Sequence, residues 1–294
     1  MAVAGMASAA TPTSELPSEA PTEHLSQRNF QRLATYIYQY SGIKLPPSKL
    51  TMVEGRLRRR LRALKIATLD GYCAYVFDQD GLEEEAVHLV DSLTTNKTDF
   101  FREPAHFDYL TSHILPLMVS EGRSQIKMWS SACSTGAEPY TLAMVIDAFL
   151  SDKTRTSYSI LATDLCTEVL EVAQRGVYPL EMLSPTPEPL RRKYVRTSKD
   201  RTSGLCRITP SLRGRVGFAR LNLMDRSYAV GQDMDVIFCR NVLIYFDKPT
   251  QQAVLTKLCS HLRPGGYLFL GHSESVAGLA LPVEQVANTI FQRR

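Results

Sequence analysis

Asp235-Val-Ile-Phe-Cys-Arg-Asn-Val-Leu-Ile-Tyr-Phe-Asp247 decides the fold. Val236 to Phe238 reads as a buried strand, which breaks at Arg240 and Asn241 and turns apolar again through Tyr245 and Phe246. A hydrophobic strand that ends in a charged and an amide side chain delivers both where open parallel sheets bind ligands. On this stretch alone, a strand–helix connection in which Arg240 caps something nearby explains the pattern as well.

Working outward, short apolar runs alternate with helical patterns. The runs are Ile126–Ala132, Ser159–Thr163, Val216–Leu221, Met234–Cys239 and Tyr267–Leu270; the helices between them are Pro139–Leu150, Glu168–Gln174 and Thr250–Leu262. Alternation of this kind predicts an α/β domain with a doubly wound, mostly parallel sheet covered on both faces, over residues 125–294. Pro179 to Gly217 breaks the rhythm, is basic and is too long for a plain loop, so an inserted subdomain is expected at about 179–217. Before the sheet, residues 25–92 read as a small helical domain. Phe30, Leu33, Ile37 and Tyr40 share one face; Val53, Leu57, Leu61 and Leu64 line a second helix from Lys49 to Ile66; residues 82–93 form another. The second helix carries Arg56, Arg58, Arg59, Arg60 and Arg62 away from its apolar face. A run like this is either a solvated face or a surface for an acidic partner. Residues 93–124 link the two parts. The segment 1–24, rich in Ala, Ser, Thr and Pro, reads as a disordered tail.

The 294 residues carry a net charge of +4, too small to call for nucleic acid. No apolar run reaches membrane-spanning length, and residues 1–27 lack the basic start of a secretory signal. Six cysteines without a CxxC pair fit a reducing cytoplasm. The six histidines show neither HxH nor HExxH spacing, so no metal site is indicated. GxSxG and P-loop patterns are missing, which lowers hydrolytic and phosphoryl-transfer chemistry.

Several strand ends carry small or polar groups. Ser130-Ser-Ala-Cys-Ser-Thr-Gly-Ala-Glu-Pro-Tyr140 enters a helix through small residues, which suits close ligand approach or tight packing alike. Asp164 sits where doubly wound folds bind ribose, or else caps the next helix. Asn222 follows the third strand, and Arg240 and Asn241 follow the fourth. Together they suit an adenosine-like ligand. Ser92-Leu-Thr-Thr-Asn-Lys-Thr-Asp-Phe-Phe-Arg-Glu103, before the sheet, is a linker or a lid over that crevice.

These segments resemble one family, the chemotaxis-receptor glutamate methyltransferases of the CheR type. The carrying strings are Leu93-Thr-Thr-Asn-Lys-Thr-Asp-Phe-Phe-Arg-Glu103, Ser134-Thr-Gly-Ala-Glu-Pro-Tyr140, Thr163-Asp-Leu165, Leu221-Asn-Leu223, Phe238-Cys-Arg-Asn-Val-Leu-Ile-Tyr-Phe-Asp247 and Pro264-Gly-Gly-Tyr-Leu-Phe-Leu-Gly-His-Ser-Glu274. The resemblance spans roughly residues 27 to 292. It implies a class I (Rossmann-like) methyltransferase sheet with a small inserted antiparallel subdomain, preceded by an all-α domain. It implies S-adenosyl-L-methionine as donor and S-adenosyl-L-homocysteine as product. The implied donor site is Asn96, Thr98, Arg102, Glu138, Asp164, Asn222, Leu223, Arg240 and Asn241, with Arg102 and Tyr245 nearest the transferring methyl. The implied partner is a methyl-accepting chemotaxis receptor, whose acidic methylation helices face Arg56, Arg58, Arg59, Arg60 and Arg62. In some members the inserted subdomain docks a peptide at the receptor C-terminus. A cytoplasmic monomer that visits a membrane-embedded receptor is the expectation. Many members carry a second acid where this chain has Ala137; Glu138 keeps the register.

The implied acceptor, a glutamate with an ordinary pKa near ~4.3, is already ionised at neutral pH and needs no general base. Two other functions compete. An RNA methyltransferase would use the basic helix, but aromatic residues do not interleave with it, and Asn241-Val-Leu-Ile-Tyr245 replaces the Asn-Pro-Pro-Tyr string of amino-group methylation. A non-catalytic S-adenosylmethionine-binding signalling module would have little use for Arg102 and Tyr245.

Overall fold

The computed structural model describes residues 24–150 and 156–294; apart from His24, the expected tail lies outside them. Four helices come first: α1 (Gln27–Ser41), α2 (Leu50–Leu64), α3 (Leu69–Asp78) and α4 (Leu82–Leu93). Ser26 caps α1 by accepting the Asn29 N–H, and α1 ends at Gly42, at φ 74°. A side chain there would be strained, and its Cβ would also lie 2.7 Å from Met224 Sδ, so the exit from α1 sits tightly against the sheet domain. Leu33, Ile37, Val53, Leu57, Tyr72 and Leu89 are fully buried in one helical core. The α3 helix is an addition to the sequence reading.

A helical run follows, α5 (Ala105–Tyr109) and α6 (Leu115–Ser120), joined by a π-type turn at Leu110–Ile114. The sheet domain then alternates β1 (Gln125–Ser130), α7 (Ala137–Leu150), β2 (Ser157–Asp164) and α8 (Thr167–Arg175). The insertion holds β3 (Val177–Pro179), α9 (Glu188–Tyr194), β4 (Val195–Thr197), β5 (Leu205–Ile208) and α10 (Pro210–Arg213). The chain closes with β6 (Val216–Arg220), β7 (Met234–Cys239), α11 (Lys248–His261), β8 (Leu262–Leu270), β9 (Val283–Ala287) and β10 (Ile290–Arg293).

The main sheet runs β6-β2-β1-β7-β8-β10-β9; β3, β5 and β4 form a separate antiparallel sheet. Strands β6 through β8 pair in parallel, and β10 is antiparallel to both neighbours. The mostly parallel sheet with a small antiparallel insertion is therefore present. Two-residue alternation divides the cover: Met128, Phe238 and Phe269 join one core, and Trp129, Ile237 and Leu268 the other. From β1 the chain moves outward to β2 and β6, then returns to β7 and moves the opposite way. The order reverses between β1 and β7, which puts the ligand crevice at their C-terminal ends.

The helical part is tied to the sheet near that crevice. Both Asp91 oxygens lie 3.2 Å from the Thr167 N–H, so a residue of α4 caps α8. Asp164 does not cap α8. Asn222 Nδ2 donates to the Tyr40 carbonyl at 2.6 Å.

Candidate active site

A cleft of about 1000 Å³, its open mouth included, lies at the C-terminal ends of β1, β2, β6 and β7. Asn96, Thr98, Arg102, Glu138, Asp164, Asn222, Leu223, Arg240, Asn241 and Tyr245 all line it. Six sequence segments converge there, because the parallel strands end on one side and the segment after α4 lies across them. That segment is fastened: Ser134 Oγ donates to the Asn96 carbonyl at 2.7 Å, and the Phe101 N–H to Thr141 Oγ1 at 3.2 Å.

Arg240 is the centre of charge. Its side chain is 2% exposed, with Nη1 2.9 Å from Glu138 Oε2 and Nη2 2.9 Å from Glu103 Oε2. Nη2 also donates to the Arg102 carbonyl at 2.6 Å, so Arg240 fixes the backbone of the residue proposed at the reaction centre. Burial raises the Glu103 carboxyl, but Arg240 and the Asn241 amide outweigh it and hold the pKa at about 2. Two carboxylates against one guanidinium leave a net negative charge beside the cleft, favourable to a cationic ligand.

Asp164 faces the opposite wall. Its oxygens accept the Ser134 N–H at 2.7 Å and the Cys166 N–H at 3.0 Å. Burial pushes its pKa up against these hydrogen bonds. The two backbone donors orient the carboxylate and leave lone pairs for hydroxyl donors, as a ribose would supply. The small-residue turn before α7 divides its work. Gly136, at φ 89°, packs against α8 and the insertion, where a Cβ would lie 2.8 Å from Ala173 Cβ. Ser131, Ala132 and Ser134 line the cleft.

Asn241 is left-handed, at φ 59°, and so are Phe101, Glu103 and Ser134 nearby. Non-glycine residues reach this region at a cost, and such strain gathers at functional sites. Here the cost is offset by Glu274, a buried acid that accepts the N–H groups of Asn241 (2.9 Å), Leu243 (2.7 Å) and Gly271 (2.6 Å). Burial raises its pKa, and these N–H groups oppose the rise. Tyr245 follows on a short 3₁₀ turn, Leu243–Tyr245. Arg102 Nη1 donates to the Lys97 carbonyl at 3.1 Å.

Glu103 and Glu274 lie within the recognised motifs, but their roles here emerge only from the structure. The same holds for Ser41 and Ile43, which bring the end of α1 to the cleft wall. Glu274 had a legible signal, an acid just after a buried strand; Ser41 and Ile43 had none.

The arginines of α2 lie outside the cleft and do not form one free face. Arg56 Nη1 donates to the Leu93 and Thr94 carbonyls at 3.0 and 2.7 Å. Arg60 pairs with the buried Glu85, and the exposed Arg59 pairs with Glu168 of α8. Arg58 and Arg62 are exposed.

Two family models match the chain: "CheR methyltransferase, all-alpha domain" over residues 28–94 and "CheR methyltransferase, SAM binding domain" over 96–291. A Pseudomonas aeruginosa protein named chemotaxis protein methyltransferase 2 is 36% identical over 274 residues, covering 91% of this chain and 94% of that protein. The chemotaxis protein methyltransferase of Escherichia coli is 40% identical over 259 residues, covering 87% of each chain. Among solved structures, a TehB-like SAM-dependent methyltransferase from Corynebacterium glutamicum is 12% identical, with a TM-score of 0.33 over 64% of this chain and 96% of that one, too loose a likeness to carry an argument.

Proposed function

The chain belongs to the CheR methyltransferase family, and on that premise we propose that it methylates glutamate side chains of chemotaxis receptors. It is an S-adenosylmethionine-dependent methyltransferase of chemotaxis. The observation that carries the finer reading is the convergence of Arg102, Glu138, Asp164, Arg240, Asn241 and Tyr245 on one cleft, where Arg240 is held by the carboxylates of Glu138 and Glu103.

These residues fit the donor, a cationic sulfonium that supplies an activated methyl group. Asp164 would accept the ribose hydroxyls. Leu223 and Leu165 offer apolar surface for the base, with Asn222 at its edge. The acidic surroundings of Arg240 favour the positive end. Asn96 and Thr98 close the site from the segment that follows α4.

Arg102 and Tyr245, both on the cleft wall, would meet the acceptor. The acceptor carboxylate arrives ionised, so the residues need only align it and exclude water. Arg102 draws the carboxylate in, and Tyr245 orients it with one neutral hydrogen bond. A two-point arginine clamp would stabilise the ground state as much as the transition state, so Arg102 acts as a positioning charge. The product would be a glutamate 5-O-methyl ester.

Arg58, Arg59 and Arg62 of α2 would meet the acidic methylation helix. The protein would work in the cytoplasm as a monomer, and the antiparallel sheet could hold a receptor C-terminal peptide. Among the described residues no helix is long and apolar enough to cross a membrane.

The test is mass spectrometry of a chemoreceptor fragment after incubation with protein and donor. Methyl-ester mass shifts on glutamates, lost in Arg102→Ala, are expected. An unmodified receptor beside a donor-saturated protein would overturn the proposal.

A further inference from the structure

Beside Arg240, on the side facing away from Glu138, three potential metal ligands converge. The ligand atoms of Glu103, His106 and His272 all lie within 4.8 Å of one another. We propose that these three residues bind a divalent transition-metal ion of the zinc class, and that the ion competes with Arg240 for Glu103.

The strongest sign is the bare nitrogen of His106. The residue is 2% exposed, and its Nδ1 has no hydrogen-bond partner among the described residues. Its Nε2 lies 2.9 Å from Thr289 Oγ1, and that hydroxyl spends its proton on the Asn288 carbonyl at 2.8 Å. The threonine oxygen therefore accepts from Nε2–H, and the neutral ring leaves its lone pair on Nδ1. This lone pair faces Glu103 Oε2 across 3.6 Å. Two electron-rich atoms facing each other in a buried place call for a cation between them.

His272 supplies the third ligand. Its Nε2 is 3.8 Å from the same oxygen, its side chain is 48% exposed, and its ring meets that of His106 edge-on, 5.1 Å between centres. Two imidazoles and a carboxylate suit zinc and its neighbours better than calcium or magnesium. The Thr289 bond to the far nitrogen of His106 is the outer contact that metal-binding histidines use to fix their tautomer.

The same carboxylate serves the donor cleft. Glu103 Oε2 takes Arg240 Nη2 at 2.9 Å and the His272 N–H at 3.2 Å, while Oε1 takes Asn241 Nδ2 at 3.2 Å. An ion on Oε2 weakens the hold of Glu103 on Arg240, and both Arg240 and Asn241 line the cleft. Metal and donor should therefore oppose one another reciprocally. This coupling rests on the donor site proposed above; metal binding does not.

The experiment uses the full chain stripped with chelator, with Co²⁺ as a spectroscopic probe. A visible spectrum of low-coordinate Co²⁺ at one ion per chain is expected. His272→Ala, at a half-exposed position and with its melting temperature compared with the wild type, should weaken Co²⁺ binding about tenfold or more. His113→Ala, at an exposed histidine elsewhere, should leave it unchanged. Absent Co²⁺ binding, or binding equally tight in His272→Ala, would overturn the site. For the coupling, Zn²⁺ should weaken S-adenosylhomocysteine binding in the wild type and not in His272→Ala. Unchanged affinity in the wild type would overturn the coupling, whereas a chain that never binds S-adenosylhomocysteine would instead refute the donor site.

Discussion

The backbone N–H of Asn241 donates to Glu274 Oε2 at 2.9 Å, joining the end of β7 to the turn after β8. The Asn241 conformation and the approach to Tyr245 depend on this acid. Glu274→Gln keeps the shape but trades one acceptor oxygen for an amide donor that meets backbone N–H groups. A loss of about 1–3 kcal/mol is expected, the cost of leaving a buried donor unmade. Thermal unfolding measures it, and kcat should fall more than KM rises because Tyr245 is displaced.

Arg240 is held by Glu138 and Glu103. Arg240→Met leaves two half-buried carboxylates without their buried partner, and breaking a fully buried pair costs about 3–5 kcal/mol, so a loss of about 3 kcal/mol is expected. Chemical denaturation should show the loss. Calorimetry with S-adenosylhomocysteine should show no binding under conditions where the variant remains folded.

Asp91 caps α8 from α4, with Thr167 Oγ1 also donating to it. Asp91→Ala should cost about 1 kcal/mol, the usual value of an N-cap. Because the bond joins the helical part to the sheet, hydrogen exchange should rise at the start of α8. Exchange unchanged there would show that other contacts carry the junction.

Reversing charges on α2 should separate two roles. Arg62 is exposed, so Arg62→Glu should slow receptor methylation at low salt with little change in stability; added salt should narrow the difference, since exposed charges are screened within ~10 Å at 0.1 M. Arg60 pairs with buried Glu85, so Arg60→Glu should lower the melting temperature. Equal effects of the two variants on stability would contradict this division.

Asp247 accepts from Tyr38 Oη at 2.6 Å and caps α11 through the Thr250 N–H. Thr250 and Tyr38 hold its pKa below the ordinary carboxylate value. The folded state thus binds this proton more weakly than the unfolded state. The contribution of Asp247 is full above pH ~4 and is lost as pH falls toward the lowered folded value. Acid unfolding of Asp247→Asn against wild type should therefore converge at low pH and separate near neutrality.

The inner strands of the main sheet were legible because burial on both faces leaves little ambiguity: every residue of β7 is buried. The hairpin of β9 and β10 was not, because β9 is mostly exposed and carries no apolar alternation. Asp164, Asn222, Arg240 and Asn241 could be named from their places at or after the strand ends, whereas Asn96, Thr98, Arg102 and Tyr245 followed from the family resemblance. Their partners could not be named. Nothing in the order of residues says that Arg56 turns to the end of α4 or that Asp91 caps a helix 76 residues later. For Asp164, charge and position favoured ribose and helix cap alike, and only the location of Asp91 removed the second choice.

The most direct test transfers labelled methyl from S-adenosylmethionine to chemoreceptor-bearing membranes and then applies mild alkali. Label on the receptor that leaves as volatile methanol is the predicted result, because glutamate methyl esters hydrolyse under these conditions. Label that stays on the receptor, or appears only on RNA, would contradict carboxyl methylation.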